Sequence, residues 1–174
     1  NIRNDKLKNM NEKFEQLIKE KRQQTTDKGT YDVINPATEE VIGKASKATP
    51  KDVDQALKSA EKGLEVWKNT APWQRSYIIR KIADKMREKQ DVLAKWMTLE
   101  VGKPFAEAKG EVGGSADIFE WNAEETKRIY GQTVESRFKD TRVHVYYQPV
   151  GVVAALSPWN FPLVLSSRKI STAL

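Results

Sequence analysis

Cysteine is absent from these 174 residues and histidine occurs once. The first absence excludes disulfides, thiolate metal sites and a cysteine nucleophile within this stretch, leaving serine, threonine, lysine or a carboxylate for covalent chemistry. The lone His144 sits in an alternating apolar/polar run and reads as a solvent-facing or packing side chain rather than a base or ligand. No run approaches the roughly 18 consecutive apolar residues of a membrane span, and the N-terminus is too charged for a secretory signal core. A cytoplasmic protein with no membrane partner is expected. Neither a GxxxxGK[ST] loop nor a GxGxxG fingerprint occurs, and Gly110-Glu111-Val112-Gly113-Gly114 lacks the preceding strand to replace them. Those glycines either weaken a helix or let helices approach.

What is present is an ordinary globular composition, with 39% hydrophobic residues and 30 Lys+Arg against 24 Asp+Glu. A chain of this length buries roughly 70% of its unfolded surface, enough for one domain with appendages. The excess of positive charge is interleaved with acids, as in Lys85-Met86-Arg87-Glu88-Lys89, a solvated pattern that argues against a nucleic-acid partner. Adjacent carboxylates at Glu39-Glu40 and Glu124-Glu125 point apart on a regular element and read as surface charge.

The periodicity gives an α/β order. Leu7, Met10, Phe14, Leu17 and Ile18 recur at three and four, which predicts an N-terminal helix before a polar linker over 23–30. Tyr31–Ile34 and Val41-Ile42 are expected strands around an Asn35-Pro36 turn. Thr49-Pro50 with Asp52 starts a helix whose apolar face is Val53, Ala56, Leu57, Ala60, Leu64 and Trp67. A second long helix runs from Pro72, with Tyr77, Ile78, Ile82, Ala83 and Met86 inward, through Leu99, and Gly102-Lys103-Pro104 stops it. A third runs from Pro104 towards Tyr130 with Phe105, Ala108, Val112, Ala116, Phe119 and Ala123 inward and Gly131 as its C′ residue. The period then falls to two: Val143, Val145 and Tyr147 predict a half-buried strand, and Gly151–Leu156 a strand covered on both faces. Four segments follow, 1–30, 31–130, 131–150 and 151–174, and the last helix has no stop signal, as in a truncated chain.

Ser157-Pro158-Trp159-Asn160-Phe161-Pro162 lies between that strand and the final helix. Loops in this position form ligand sites in open α/β sheets. The Asn160 carboxamide suits an oxyanion donor, and equally a cap for the next helix. Arg168, eight residues on, carries a guanidinium suited to a carboxylate, unless it is a plain surface arginine.

These residues, with Asn35-Pro36-Ala37-Thr38, the Arg80–Asp84 run, Glu100–Pro104, Phe119–Glu124 and Pro149-Val150-Gly151-Val152, resemble the N-terminal part of an NAD(P)-dependent aldehyde dehydrogenase. Ser167-Arg168-Lys169, Glu124-Glu125 and Arg128–Gly131 are similar to the succinate-semialdehyde branch. The resemblance implies an incomplete Rossmann-like cofactor domain plus part of a small oligomerisation sheet, an aldehyde substrate, NAD or NADP, no metal, and a homo-oligomer when full-length. It makes Asn160 the oxyanion-hole amide, Leu156, Ser157, Pro158 and Trp159 the cofactor lining, and Arg168 the clamp for a distal carboxylate. It also places the family's nucleophilic cysteine and general-base glutamate beyond Leu174, so the chain alone is expected to be inactive. A non-catalytic assembly partner or split-gene product is the rival reading.

Overall fold

The computed structural model describes residues 12–19 and 21–174. Leu7 and Met10 of the expected N-terminal helix lie outside the described residues, and the described part of that stretch is not helical. Short strands β1 (Glu12–Phe14), β2 (Gln16–Ile18) and β3 (Lys21–Gln23) replace it. The cause is non-local: β1 runs parallel to β5 (Val41–Ser46), which also pairs antiparallel with β4 (Thr30–Ile34), while β2 and β3 form their own hairpin. Phe14, Leu17 and Ile18 match a helical spacing, but Phe14 pairs with Ala45 of β5, and Leu17 and Ile18 pair with Arg22 and Lys21 across a tight hairpin.

Helix α1 (Pro50–Lys68) begins as expected, with Thr49 at the N-cap and Asp52 completing a capping box. The buried Asp52 carboxylate also accepts from the backbone N–H and hydroxyl of Thr26, at 3.1 and 2.7 Å. It therefore fixes the loop before β4 as well as the helix start. The hydrogen bond from Thr26 and then those from Thr49 hold its pKa far below the ordinary carboxylate range. The expected apolar face of α1 is largely bare, with Val53 and Leu57 about half exposed.

The expected second helix is two, α2 (Pro72–Glu88) and α3 (Gln90–Val101), broken at Lys89. The buried residue at the centre of α2 is Ile79, whereas Tyr77 and Ile78 of the expected face are exposed. Gly102 ends α3 with φ 79°, and a Cβ there would stand 2.8 Å from Pro36 Cγ, so the β4–β5 turn packs on this helix end.

Helix α4 (Phe105–Glu125) is the hub. Its Ala116, Phe119 and Ala123 pack with Ile79 and Ala83 of α2, and its Ala108 and Val112 pack with Ala94 and Met97 of α3. Gly110 and Gly114 face open space, so neither serves close packing. Across the α2–α4 surface Arg80 pairs with Glu120 (2.6 Å) and Glu124, so Glu124 is a half-buried partner rather than free surface charge. Arg87 donates to Asp117 and Glu120, and its hydrogen bond and charge hold the Glu120 carboxyl below its ordinary pKa.

After a 3₁₀ turn (Thr126–Arg128) come β6 (Gln132–Glu135) and β7 (Arg142–Val145), a hairpin exposed on both faces rather than a half-buried strand reaching Tyr147. Gly131 is no helix cap: a Cβ there would meet the Val145 carbonyl oxygen at 2.6 Å, so it permits hairpin closure. The run Gly151–Leu156 is not a covered strand. It has no ladder hydrogen bonds, and Leu156 is 81% exposed. A continuous apolar run becomes a buried strand only between neighbouring strands, and among the described residues none lies beside it. Helix α5 (Pro162–Ala173) then returns to α4, its Ser171 hydroxyl 3.0 Å from Asn122 Nδ2. No helix among the described residues is long and apolar enough to cross a membrane.

Candidate functional site

The segment 156–168 is held by its far end. Pro162 opens α5 with a φ already helical, and the N-cap position is Phe161, without a side-chain cap. Asn160 therefore does not cap the helix. The cap comes instead from Glu111 of α4, whose Oε1 accepts from the backbone N–H groups of Leu163 (3.0 Å) and Val164 (3.1 Å). Its Oε2 pairs with Lys103 Nζ, and the two side chains are only 2% and 10% exposed. The Lys103 ammonium also lies 4.0 Å from the centre of the Phe161 ring.

This carboxylate is well matched to its place: two orphan amides and the positive end of a helix meet a negative charge, and a cation balances the remaining oxygen. Sequence reasoning missed both residues. A signal was available, because Glu111 follows Ala108 by three and precedes Ser115 by four, an inward position where an unpaired glutamate would not be tolerated.

The expected site residues sit beyond this anchor. Leu156, Pro158, Trp159 and Asn160 are exposed, Trp159 by 79%. Ser157 is half-buried, its Oγ accepting from Ser166 Oγ at 3.2 Å. Asn160 lies in the turn before α5, and its carboxamide has no hydrogen-bond partner among the described residues. Arg168 is on the exposed side of α5, six residues or roughly 9 Å of axis past Pro162, with no ion-pair partner among the described residues. The structure thus brings Ser157 to α5 and Phe161 to Lys103, and leaves Asn160 and Arg168 unengaged. His144 is exposed on β7, its Nδ1 3.1 Å from the Thr133 hydroxyl, with no ion-pair partner among the described residues.

Behind the loop, Leu64 and Trp67 of α1, Val152 and Val153 of the segment before the loop, and Ile170 and Leu174 line an open apolar groove of about 430 Å³. No group of three or more His, Asp or Glu side chains able to hold a metal occurs among the described residues. For a nicotinamide cofactor the residues fit in part. The 151–158 segment has backbone groups outside any ladder and exposed apolar side chains, which suit one edge of a ring.

Residues 23–174 match the aldehyde dehydrogenase family. A glutarate-semialdehyde dehydrogenase of Pseudomonas putida is 46% identical over 145 residues, 83% of this chain and 30% of the relative. A succinate-semialdehyde dehydrogenase of Escherichia coli, named for NADP(+), is 44% identical over 143 residues, 82% of this chain and 30% of that protein. Among solved structures, an NADP-dependent enzyme of E. coli superposes with a TM-score of 0.90 at 40% identity, covering 92% of this chain and 34% of that one. A betaine aldehyde dehydrogenase of Staphylococcus aureus in complex with NAD+ gives 0.87 at 32% identity, covering 91% and 32%. The chain thus spans about a third of the length of these relatives. With the match running from the end of β3 through α4 to the Asn160 loop and α5, the chain belongs to the aldehyde dehydrogenase family.

Proposed function

We propose that these residues form the N-terminal third of an enzyme that oxidises a semialdehyde acid, of the succinate or glutarate kind, to the diacid. The carrying observation is the unengaged Asn160 carboxamide at the end of a segment whose far side is rigidly anchored. An amide N–H₂ donor held in this way stabilises the oxyanion formed when a nucleophile adds to an aldehyde carbonyl. The nucleophile itself must come from outside these residues, which contain no cysteine. A bound NAD or NADP would supply the hydride acceptor. Leu156, Ser157, Pro158 and Trp159 would line it, through backbone groups and apolar contact. Arg168, exposed and unpaired, would hold the substrate's distal carboxylate.

In this reading 31–130 and 151–174 belong to the cofactor-binding domain and 131–150 to the sheet through which subunits assemble. The semialdehyde substrates named for the 46% and 44% identical relatives support the substrate class.

The test is kcat/KM for a semialdehyde acid and for a neutral aldehyde of equal length, in a complete enzyme carrying this segment. Arg168→Ala is expected to cost about 1.5–3 kcal/mol on the acid and little on the neutral aldehyde. Asn160→Ala is expected to lower turnover about 10²–10³-fold on both. Equal losses on both substrates for Arg168→Ala would remove the clamp role.

A further inference from the structure

We infer that Glu111, held by Lys103, is a positioning residue that keeps Asn160 free to act, by taking over the helix cap that an asparagine in that turn would otherwise supply. The inference rests on the reading of Asn160 as an oxyanion donor and adds to it the means by which its orientation is set.

A helix that opens at Pro162 leaves the N–H groups of Leu163 and Val164 without intrahelical acceptors. Asparagine satisfies such donors best from the N-cap itself, and Asn160 stands one residue before it, close enough for its carboxamide to compete for the same amides. If it folded back onto α5, its carboxamide oxygen would be spent locally and its N–H₂ group would turn with it. Glu111 removes that alternative, because both amides already donate to its Oε1. Those acceptor bonds come from a side chain 52 residues earlier, on the helix at the centre of the core. The turn is thus referenced to α4 rather than to its own neighbours.

Lys103 has two functions in this arrangement. It neutralises a carboxylate that is 2% exposed, which would otherwise carry a large desolvation penalty. It also lies over the Phe161 ring at 4.0 Å, gripping the residue between Asn160 and Pro162. The ion pair therefore touches the turn on both sides of the helix start. Ser157 is tied to Ser166 on the next turn of α5, so the loop is fixed at its other end too. Asn160, between these ties, is left with an unengaged side chain.

Two measurements test this, on different footing. In the 174-residue chain, Glu111→Ala is expected to raise amide hydrogen exchange at Leu163 and Val164 at least tenfold, with the Phe119 and Ala123 amides of α4 unchanged. Because Glu111→Ala leaves Lys103 buried without a partner, the pair Lys103→Met with Glu111→Gln provides the control. It keeps an oxygen acceptor and removes both charges, and is expected to restore protection. In a complete enzyme carrying this segment, Glu111→Ala is expected to lower kcat about 100-fold with KM nearly unchanged, equally for acidic and neutral aldehydes. Combined with Asn160→Ala it should add little further loss, since both act through one side chain. The neutral pair should recover most of the turnover.

Unchanged exchange at Leu163 and Val164 would overturn the clamp whatever Asn160 does. Increased exchange with full turnover, where Asn160→Ala still abolishes activity, would overturn the positioning role and leave the oxyanion reading intact. A harmless Asn160→Ala would overturn that reading instead, and with it the catalytic purpose of the clamp.

Discussion

The α2–α3–α4 core and the segment from Gly131 to Phe161 are built from similar fractions of apolar residues and end in opposite states. In the first, Ile79, Ala83, Ala116, Phe119 and Val112 are all but inaccessible. In the second, Val150, Leu156 and Trp159 are 93, 81 and 79% exposed. The difference is supplied by partners. The three helices carry their complementary faces within 55 residues of one another, so local chain closure is enough to bury them. The later segment has its hairpin and one anchored end, and no described layer lies over its apolar side chains.

The sharpest way to break this comparison is to delete a large side chain from each region. Phe119→Ala is expected to cost about 3–5 kcal/mol, whereas Trp159→Ala should stay within about 0.5 kcal/mol, both read from denaturant midpoints. Comparable losses would mean that the open segment is packed in solution.

A smaller effect separates the two regions by pH. Asp52 has its pKa depressed below 3.8 by the Thr26 and Thr49 hydrogen bonds. A depressed carboxylate contributes stability that is complete above its unfolded value and is withdrawn as pH falls from there through the lower folded value. The denaturant midpoint should therefore fall below about pH 4 in the unmodified chain, and that part of the slope should be missing in Asp52→Asn. The exposed β6–β7 hairpin should keep its His144–Thr133 contact over the same range, as followed by NMR.

The least effect on stability is expected from Leu156→Ser, whose side chain packs on little. Its consequence should appear in association instead. Concentrated chain is expected to self-associate through the bare 150–161 segment, and this substitution should shift light scattering towards monomer. A monomer at all concentrations before substitution would show that the apolar surface is protected by its own chain.

Legibility followed the same division. The start of α1, the stop at Gly102 and the inward face of α4 could all be read from caps and period, because each depends on residues within one or two turns. The break at Lys89 has no glycine or proline to announce it. Strands β1 and β2 read as a helix because Phe14, Leu17 and Ile18 suit either period; the distant β5 decides β1, and the hairpin with β3 decides β2. Gly151–Leu156 reads as a covered strand because its sequence is suited to a setting that these residues do not provide. At the site, the Pro158–Pro162 loop was legible as a motif, and its anchor was not. Glu111 and Lys103 acquire meaning only when α5 is brought back against α4.

The indole of Trp67 donates to the carbonyl of Leu174 at 2.7 Å, across a sequence separation of 107 residues. With Asp52 knotting its first turn and Trp67 clasping its last, α1 is secured chiefly at its two ends. The second fastening has a kinetic cost, since closing so long a loop precedes any reward from the contact. During synthesis α1 emerges and caps itself early, then waits for α5 before its C-terminal end has anything to hold. The α2–α4 nucleus should therefore form first and α1 settle last, making the α1–α5 clasp the slow step of assembly and the first to open.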